Sequence, residues 1–156
     1  MKNLQTGTVP SAGARHALET CLSLHRVTGL EPGLYRYRAL EHGLVPTRRA
    51  AWSPQAMAAA CLEQSFVARS AVTFVWTAVR ERMCFRYGER GYRYLFLDAG
   101  HACQNLYLAA EAIGCGACAI AAFSDDEVNR LLSLDGEERF ALYLATVGRH
   151  AAGEER

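Results

Sequence analysis

The chain has 156 residues, of which 51% are hydrophobic and 21% charged, with a formal net charge of +1. Such a chain fits one domain (residues 1–156) with a real core, and its near-neutral charge gives no reason to expect nucleic acid or a membrane surface as partner. No apolar run approaches the roughly 20 residues that cross a bilayer, and no charged start with an apolar stretch is visible, so a cytoplasmic protein with reduced thiols is expected from its six cysteines.

In chain order, residues 1–10 read as a polar tail or loop ending at Val9-Pro10-Ser11. Leu18–Val27 alternates apolar and polar residues as a half-buried strand does, and Gly29–Gly33 follows as a turn. Two short strands are expected around a turn at Glu41–Gly43. Ser53-Pro54 is a helix start, with serine as N-cap and proline in the first position, and the helix is expected to run through Gln64. Ala71–Val79 is β-branched and aromatic and reads as a central strand. Helical spacing of Leu97, Ala102, Leu106, Ala109, Ala110 and Ile113 predicts the longest helix over Tyr94–Ile113, stopped by Gly114. Ser124, with Glu127 three residues on, caps a short helix to Leu132, and Arg139–Gly148 is a last buried strand. Strands, helices and an early hairpin in this order give an α+β, three-layer domain.

The stretch "GCGACAIAAF" (Gly114–Phe123) holds a Cys-x-x-Cys pair, Cys115 and Cys118. With His101 and Cys103 it offers four zinc-type ligands, but a helix over this region separates Cys103 from Cys115 by about 18 Å at ~1.5 Å per residue. A thioredoxin-like pair opens a helix, whose N-terminus lowers the thiol pKa. Here the pair follows a helix, at the end that disfavours a thiolate. No metal site is expected, and the small residues are read as filling a tight place.

Three segments, "PSAGARHALE" (Pro10–Glu19), "FRYGERGYRYLFLDAGHACQNLYLAAEAIGCGACAIAAF" (Phe85–Phe123) and "YLATVGR" (Tyr143–Arg149), resemble the flavin-dependent nitroreductase superfamily. They look closest to its SagB-type dehydrogenase branch, which includes azoline oxidases. The resemblance implies a nitroreductase-like domain with a central, mainly antiparallel sheet flanked by helices. It also implies an FMN-dependent oxidoreductase that takes hydride from NAD(P)H or an organic substrate, and a homodimer with flavin sites at the interface. It places Pro10, Ser11, Ala12, Gly13 and Arg15 on the flavin, and the backbone of Ala119, Ile120, Ala121 and Ala122 against the flavin edge. Arg149 matches a position that binds the FMN phosphate.

The family's catalytic Lys-Tyr pair corresponds to Arg86 and Tyr87. Arginine stays protonated, so it cannot serve as the general base that a lysine supplies, and the resemblance then favours an oxidoreductase of another substrate over azoline oxidation. Relatives also begin with an Arg-rich segment that grips the FMN phosphate. Nothing before Pro10 supplies it, and Arg48-Arg49 comes too late in the order. A chain short at its N-terminus leaves a second expectation open: a non-catalytic dimerisation or scaffold protein with weak or no flavin binding.

Overall fold

Runs rich in valine, threonine, leucine and aromatic residues build the centre of the molecule as a sheet. The computed structural model describes residues 9–47 and 52–150, so the Arg48-Arg49 pair lies outside the described residues. Six strands, β1 (Leu18–Leu24), β2 (Gly33–Arg38), β3 (Gly43–Thr47), β4 (Val72–Val79), β5 (Cys115–Ile120) and β6 (Arg139–Arg149), form one sheet in the order β3-β2-β1-β4-β6-β5. Every neighbouring pair is antiparallel. The helices are α1 (Pro54–Ala60), α2 (Ser65–Arg69), α3 (Arg80–Tyr87), α4 (Gly91–Ala112) and α5 (Asp125–Leu132), with 3-10 turns at Ala12–Ala14 and Gly88–Arg90.

The two-residue period of the strands splits the core between two faces. Val75 and Leu144 pack with Met57 and Ala60 of α1, Val67 of α2, and Val128 and Leu131 of α5. Trp76 and Ala145, their neighbours in sequence, pack instead with Ala102 and Cys103 of α4. The expected α+β architecture, a sheet between helical layers, is therefore what the chain adopts. Both predicted caps form: Ser53 accepts from the Ala56 N–H and Ser124 from the Glu127 N–H.

Three boundaries and one helix differ from expectation. β1 stops at Leu24 rather than Val27, because the N–H groups of His25 and Arg26 both turn to the Ala71 carbonyl. α1 stops at Ala60 rather than Gln64: Leu62 and Glu63 adopt left-handed φ of 54° and 60°, and the chain resumes as α2. α4 opens at Gly91, three residues before the predicted start, and α3 has no counterpart in the sequence reading. "RERMCFRY" buries only Met83, too little apolar periodicity to announce a helix. The α3–α4 corner requires glycine, since a Cβ on Gly91 would meet the Cys84 sulfur at 2.9 Å and its Cα at 3.2 Å.

Candidate functional site

Asp98 lies among the apolar positions of α4 and is only 4% exposed. A carboxylate buried there needs donors, and the loop before β1 supplies them. Ser11 Oγ donates to Asp98 Oδ2 at 2.8 Å, and the Ala12 N–H reaches Oδ1 at 3.0 Å. The Ser11 hydroxyl in turn accepts the His16 N–H at 2.9 Å. The loop is thereby folded tightly, with left-handed φ at Gly13 (55°), Ala14 (52°) and His16 (45°).

Tyr87 closes the underside of this loop. A Cβ on Gly13 would sit 2.3 Å from the Tyr87 hydroxyl oxygen, so only glycine lets the two approach. The Tyr87 ring meets Tyr94 edge-on at 4.7 Å, and the exposed Arg86 guanidinium stands 5.5 Å from the Tyr87 ring centre. Arg15 turns to α3, its Nε donating to the Arg82 carbonyl at 2.8 Å. Arg82 also pairs with Glu19 at 2.9 Å, where Arg36 and Arg139 converge at 3.9 and 3.7 Å.

The second part of the site is the end of β5, an edge strand. Ala119 donates its N–H to the Tyr107 hydroxyl at 2.8 Å, Ile120 is buried, and Ala121 and Ala122 are exposed. Gln64 props this ledge from beneath, donating to the Ala122 carbonyl at 2.9 Å. Val9 and Ala119 pack into one cluster with Trp76, Cys103 and Tyr143, so loop and ledge share the α4 side of the sheet. Arg149 is not brought to them within one chain. It pairs with Cys115 at the far end of β5, about 17 Å from Ile120 at ~3.3 Å per residue.

The cysteine pair follows the C-terminus of α4, as expected, and lies in β5. Residues three apart in a strand fall on opposite faces, so Cys115 and Cys118 cannot act as a dithiol. Burial pushes the Cys103 thiol up, offset in part by its hydrogen bond with Tyr143, and pushes Cys61 to about 11. Among the described residues no three His, Cys, Asp or Glu side chains gather as metal ligands. Two surface clefts, of about 540 and 480 Å³, lie between α3 and the start of β6 and include none of the loop or ledge residues.

Sequence reasoning passed over Asp98, Tyr107 and Gln64. For Asp98 the signal was present: an acidic residue next to Ala99 and three after Leu95, on the stripe that faces the core.

A sheet in this order, with a long helix laid on one face and a serine loop pinned to it, defines a nitroreductase-type α+β protein. The Nitroreductase family is matched over residues 4–149, and the chain belongs to it; its members are in general flavin-using oxidoreductases. A protein of Methanocaldococcus jannaschii with a provisional nitroreductase name is 36% identical over 142 residues, covering 91% of this chain and 70% of that relative. The trifolitoxin-processing protein TfxB of Rhizobium leguminosarum bv. trifolii is 33% identical over 146 residues, and the chain spans 39% of its length. A crystal structure from Anabaena variabilis, also provisionally named a nitroreductase, superposes with a TM-score of 0.83 at 29% identity, over 89% of this chain and 28% of that one.

Proposed function

We propose that this chain is an FMN-dependent oxidoreductase of the SagB-type dehydrogenase branch, working as a homodimer with NAD(P)H or an organic hydride donor. The observation that carries the reading is the placement of loop Pro10–Gly13, with Tyr87 beneath it, on the same side of the sheet as the Ala119–Ala122 ledge. Identity with the trifolitoxin-processing protein supports the branch.

The residues present fit a flat ring. Ala12, Gly13, Ala119, Ala121 and Ala122 are small, and the missing Cβ of Gly13 lets the Tyr87 hydroxyl close up against the loop. Pro10, Ser11, Ala12 and Gly13 would hold the ring from the loop through their backbone, Arg15 through the guanidinium N–H groups its bond to Arg82 leaves over, the backbone of Ala119, Ile120, Ala121 and Ala122 from the ledge, and Arg149 would take the phosphate. FMN, when bound, supplies a ring that accepts and passes on a hydride equivalent. Backbone N–H groups facing a developing negative charge stabilise it without reorganisation. The Ala119 N–H is occupied by Tyr107, so the donor this reading assigns to the ledge is the N–H of exposed Ala121, just past the end of β5. Tyr87 can hold or release a proton at its hydroxyl, whereas Arg86 remains a cation and clamps an anion.

A second copy is the partner the surface favours. α4 exposes Phe96 (61%), Leu97 (53%) and Leu108 (62%), with Leu97 and Leu108 on one side of the helix, and α3 exposes Phe85 (82%). The deciding experiment is an FMN titration of the purified protein by flavin fluorescence, followed by size-exclusion chromatography. A yellow dimer that NADH or NADPH bleaches is expected; a protein that stays colourless with added FMN overturns the reading.

A further inference from the structure

We infer that Asp98 is the positioning residue of the flavin loop, and that it takes the Ser11 hydroxyl out of ligand contact, leaving the Gly13 N–H as the donor the loop presents. This rests on the flavin reading above. The hydrogen-bond inventory of the loop carries it. The Ala12 N–H goes to Asp98, the Ala14 N–H to the Ser11 carbonyl at 2.9 Å, the Arg15 N–H to the Ala12 carbonyl at 3.2 Å, and the His16 N–H to Ser11 Oγ. The one proton of the Ser11 hydroxyl points at Asp98 Oδ2, and one of its lone pairs is filled by His16. Among the described residues no acceptor is seen for the Gly13 N–H, and Gly13 is exposed at the apex of the left-handed turn.

An ionised carboxylate is the group this geometry calls for. It is acceptor-only, so a hydroxyl facing it must donate, which fixes the rotamer of Ser11 and leaves the oxygen open to His16. The Ala12 N–H is shared between Oδ1 at 3.0 Å and Oδ2 at 3.2 Å, so an isosteric asparagine with its oxygen at the Oδ2 place keeps the Ser11 bond and the longer Ala12 contact, but it turns an NH₂ on the Ala12 N–H in place of the shorter one. Among the described residues no cation pairs with Asp98. Its charge is balanced by loop donors alone, and loop and helix are coupled through it. The left-handed φ of Ala14 and of His16, which non-glycine residues rarely adopt, persist because these bonds over-determine them.

The test uses Asp98→Asn, Ser11→Ala and the double variant in the full chain, each measured three ways. FMN affinity and the visible circular dichroism of bound flavin report the site, thermal unfolding of the FMN-free protein reports stability, and amide hydrogen exchange reports the loop. Each single change is expected to weaken FMN at least tenfold and to alter the flavin dichroism, with the double variant no worse than the weaker single one. Exchange at Ala12 and His16 accelerates in Asp98→Asn while the amides of α4 stay protected. Unchanged affinity and dichroism in a wild type that binds FMN, or losses that are additive and follow melting temperature alone, overturn the inference. If the wild type binds no FMN, the flavin reading fails, and unchanged Ala12 and His16 exchange in Asp98→Asn then overturns the role of Asp98 as well.

Discussion

The Tyr107 hydroxyl accepts the Ala119 N–H at 2.8 Å, so a side chain of α4 covers part of the outer edge of the last strand in the sheet. An edge strand otherwise presents unpaired donors that invite other strands. Tyr107→Phe returns this N–H to water rather than burying it, so the expected cost is about 0.5–1.5 kcal/mol, the net worth of one hydrogen bond. Urea unfolding measures it; an unchanged midpoint would show that water replaces the phenol without loss.

Gly13 and Tyr87 are bound by space rather than by a hydrogen bond. Gly13→Ala places a methyl 2.3 Å from the Tyr87 oxygen and 3.3 Å from its Cζ, at a backbone φ of 55°. The left-handed residue costs roughly 1–2 kcal/mol before any clash is counted. Loss of stability and of flavin affinity is expected, with Tyr87→Phe in the same chain recovering only part, because it removes the oxygen and leaves Cζ and the φ strain. Full recovery, or no loss at all, would contradict the close approach.

How far the sequence could be read follows from where each interaction is written. β4 was legible because Val72–Val79 carries its propensity in consecutive residues, and α5 because Ser124 and Glu127 spell a cap locally. α3 was not, since eight residues with one buried side chain make no period. The site splits the same way. Pro10–Gly13 and Ala119–Ala122 stand out by motif, but what holds them is long-range: Asp98 is 87 residues from Ser11, and Gln64 is 58 from Ala122. Such pairs are set by packing of the finished fold. Helix length separates Cys103 from Cys115 but not from Cys118. β5 runs back along α4, and what keeps the two sulfurs of the pair from one ion is that they face opposite sides of the strand.

The thiols should differ sharply in reactivity. Cys61 is fully buried with its pKa pushed up to about 11, whereas Cys118 is exposed on the edge strand. At pH 8 a thiol reagent is expected to label Cys118 in the folded protein and Cys61 only on unfolding. Cys115→Ser and Cys118→Ser are expected to leave FMN affinity within about threefold, since backbone rather than sulfur faces the ligand; this spread is less than 1 kcal/mol. Loss of binding in either variant would restore a chemical role to the pair.

If a second copy covers α4, one charge on its exposed face is enough to expose the interface. Leu108, 62% exposed, contributes little to the core of one chain, so Leu108→Asp should leave the fold intact. Sedimentation is expected to show dimer for the wild type and monomer for the variant, with circular dichroism unchanged. The variant should also lose FMN affinity, because the proposed site needs both copies. A monomeric wild type that binds FMN normally would remove the dimer from the proposal.

One buried histidine ties the stability of the fold to pH. His25 is 5% exposed; its Nε2 lies 2.8 Å from Ser23 Oγ, which also accepts the Trp52 indole N–H at 2.8 Å, and its ring centre is 6.2 Å from that of Trp52. Burial lowers its pKa below the ordinary 6.5, Arg26 adds to the lowering, and hydrogen bonds with the backbone at Ser70 and Val67 offset part of it. The unfolded chain therefore binds a proton near pH 6.5 that the folded chain takes up only at lower pH. Stability from neutral His25 is complete above 6.5 and is lost as pH falls from there to the folded value, with a slope of at most about 1.4 kcal/mol per pH unit for one proton. Thermal melting from pH 8 to 5, followed by tryptophan emission, should show this loss in the wild type. His25→Gln, which keeps a polar partner for Ser23 but does not titrate, should show a flatter profile over the same window. Equal slopes for both proteins would place the acid sensitivity in other groups.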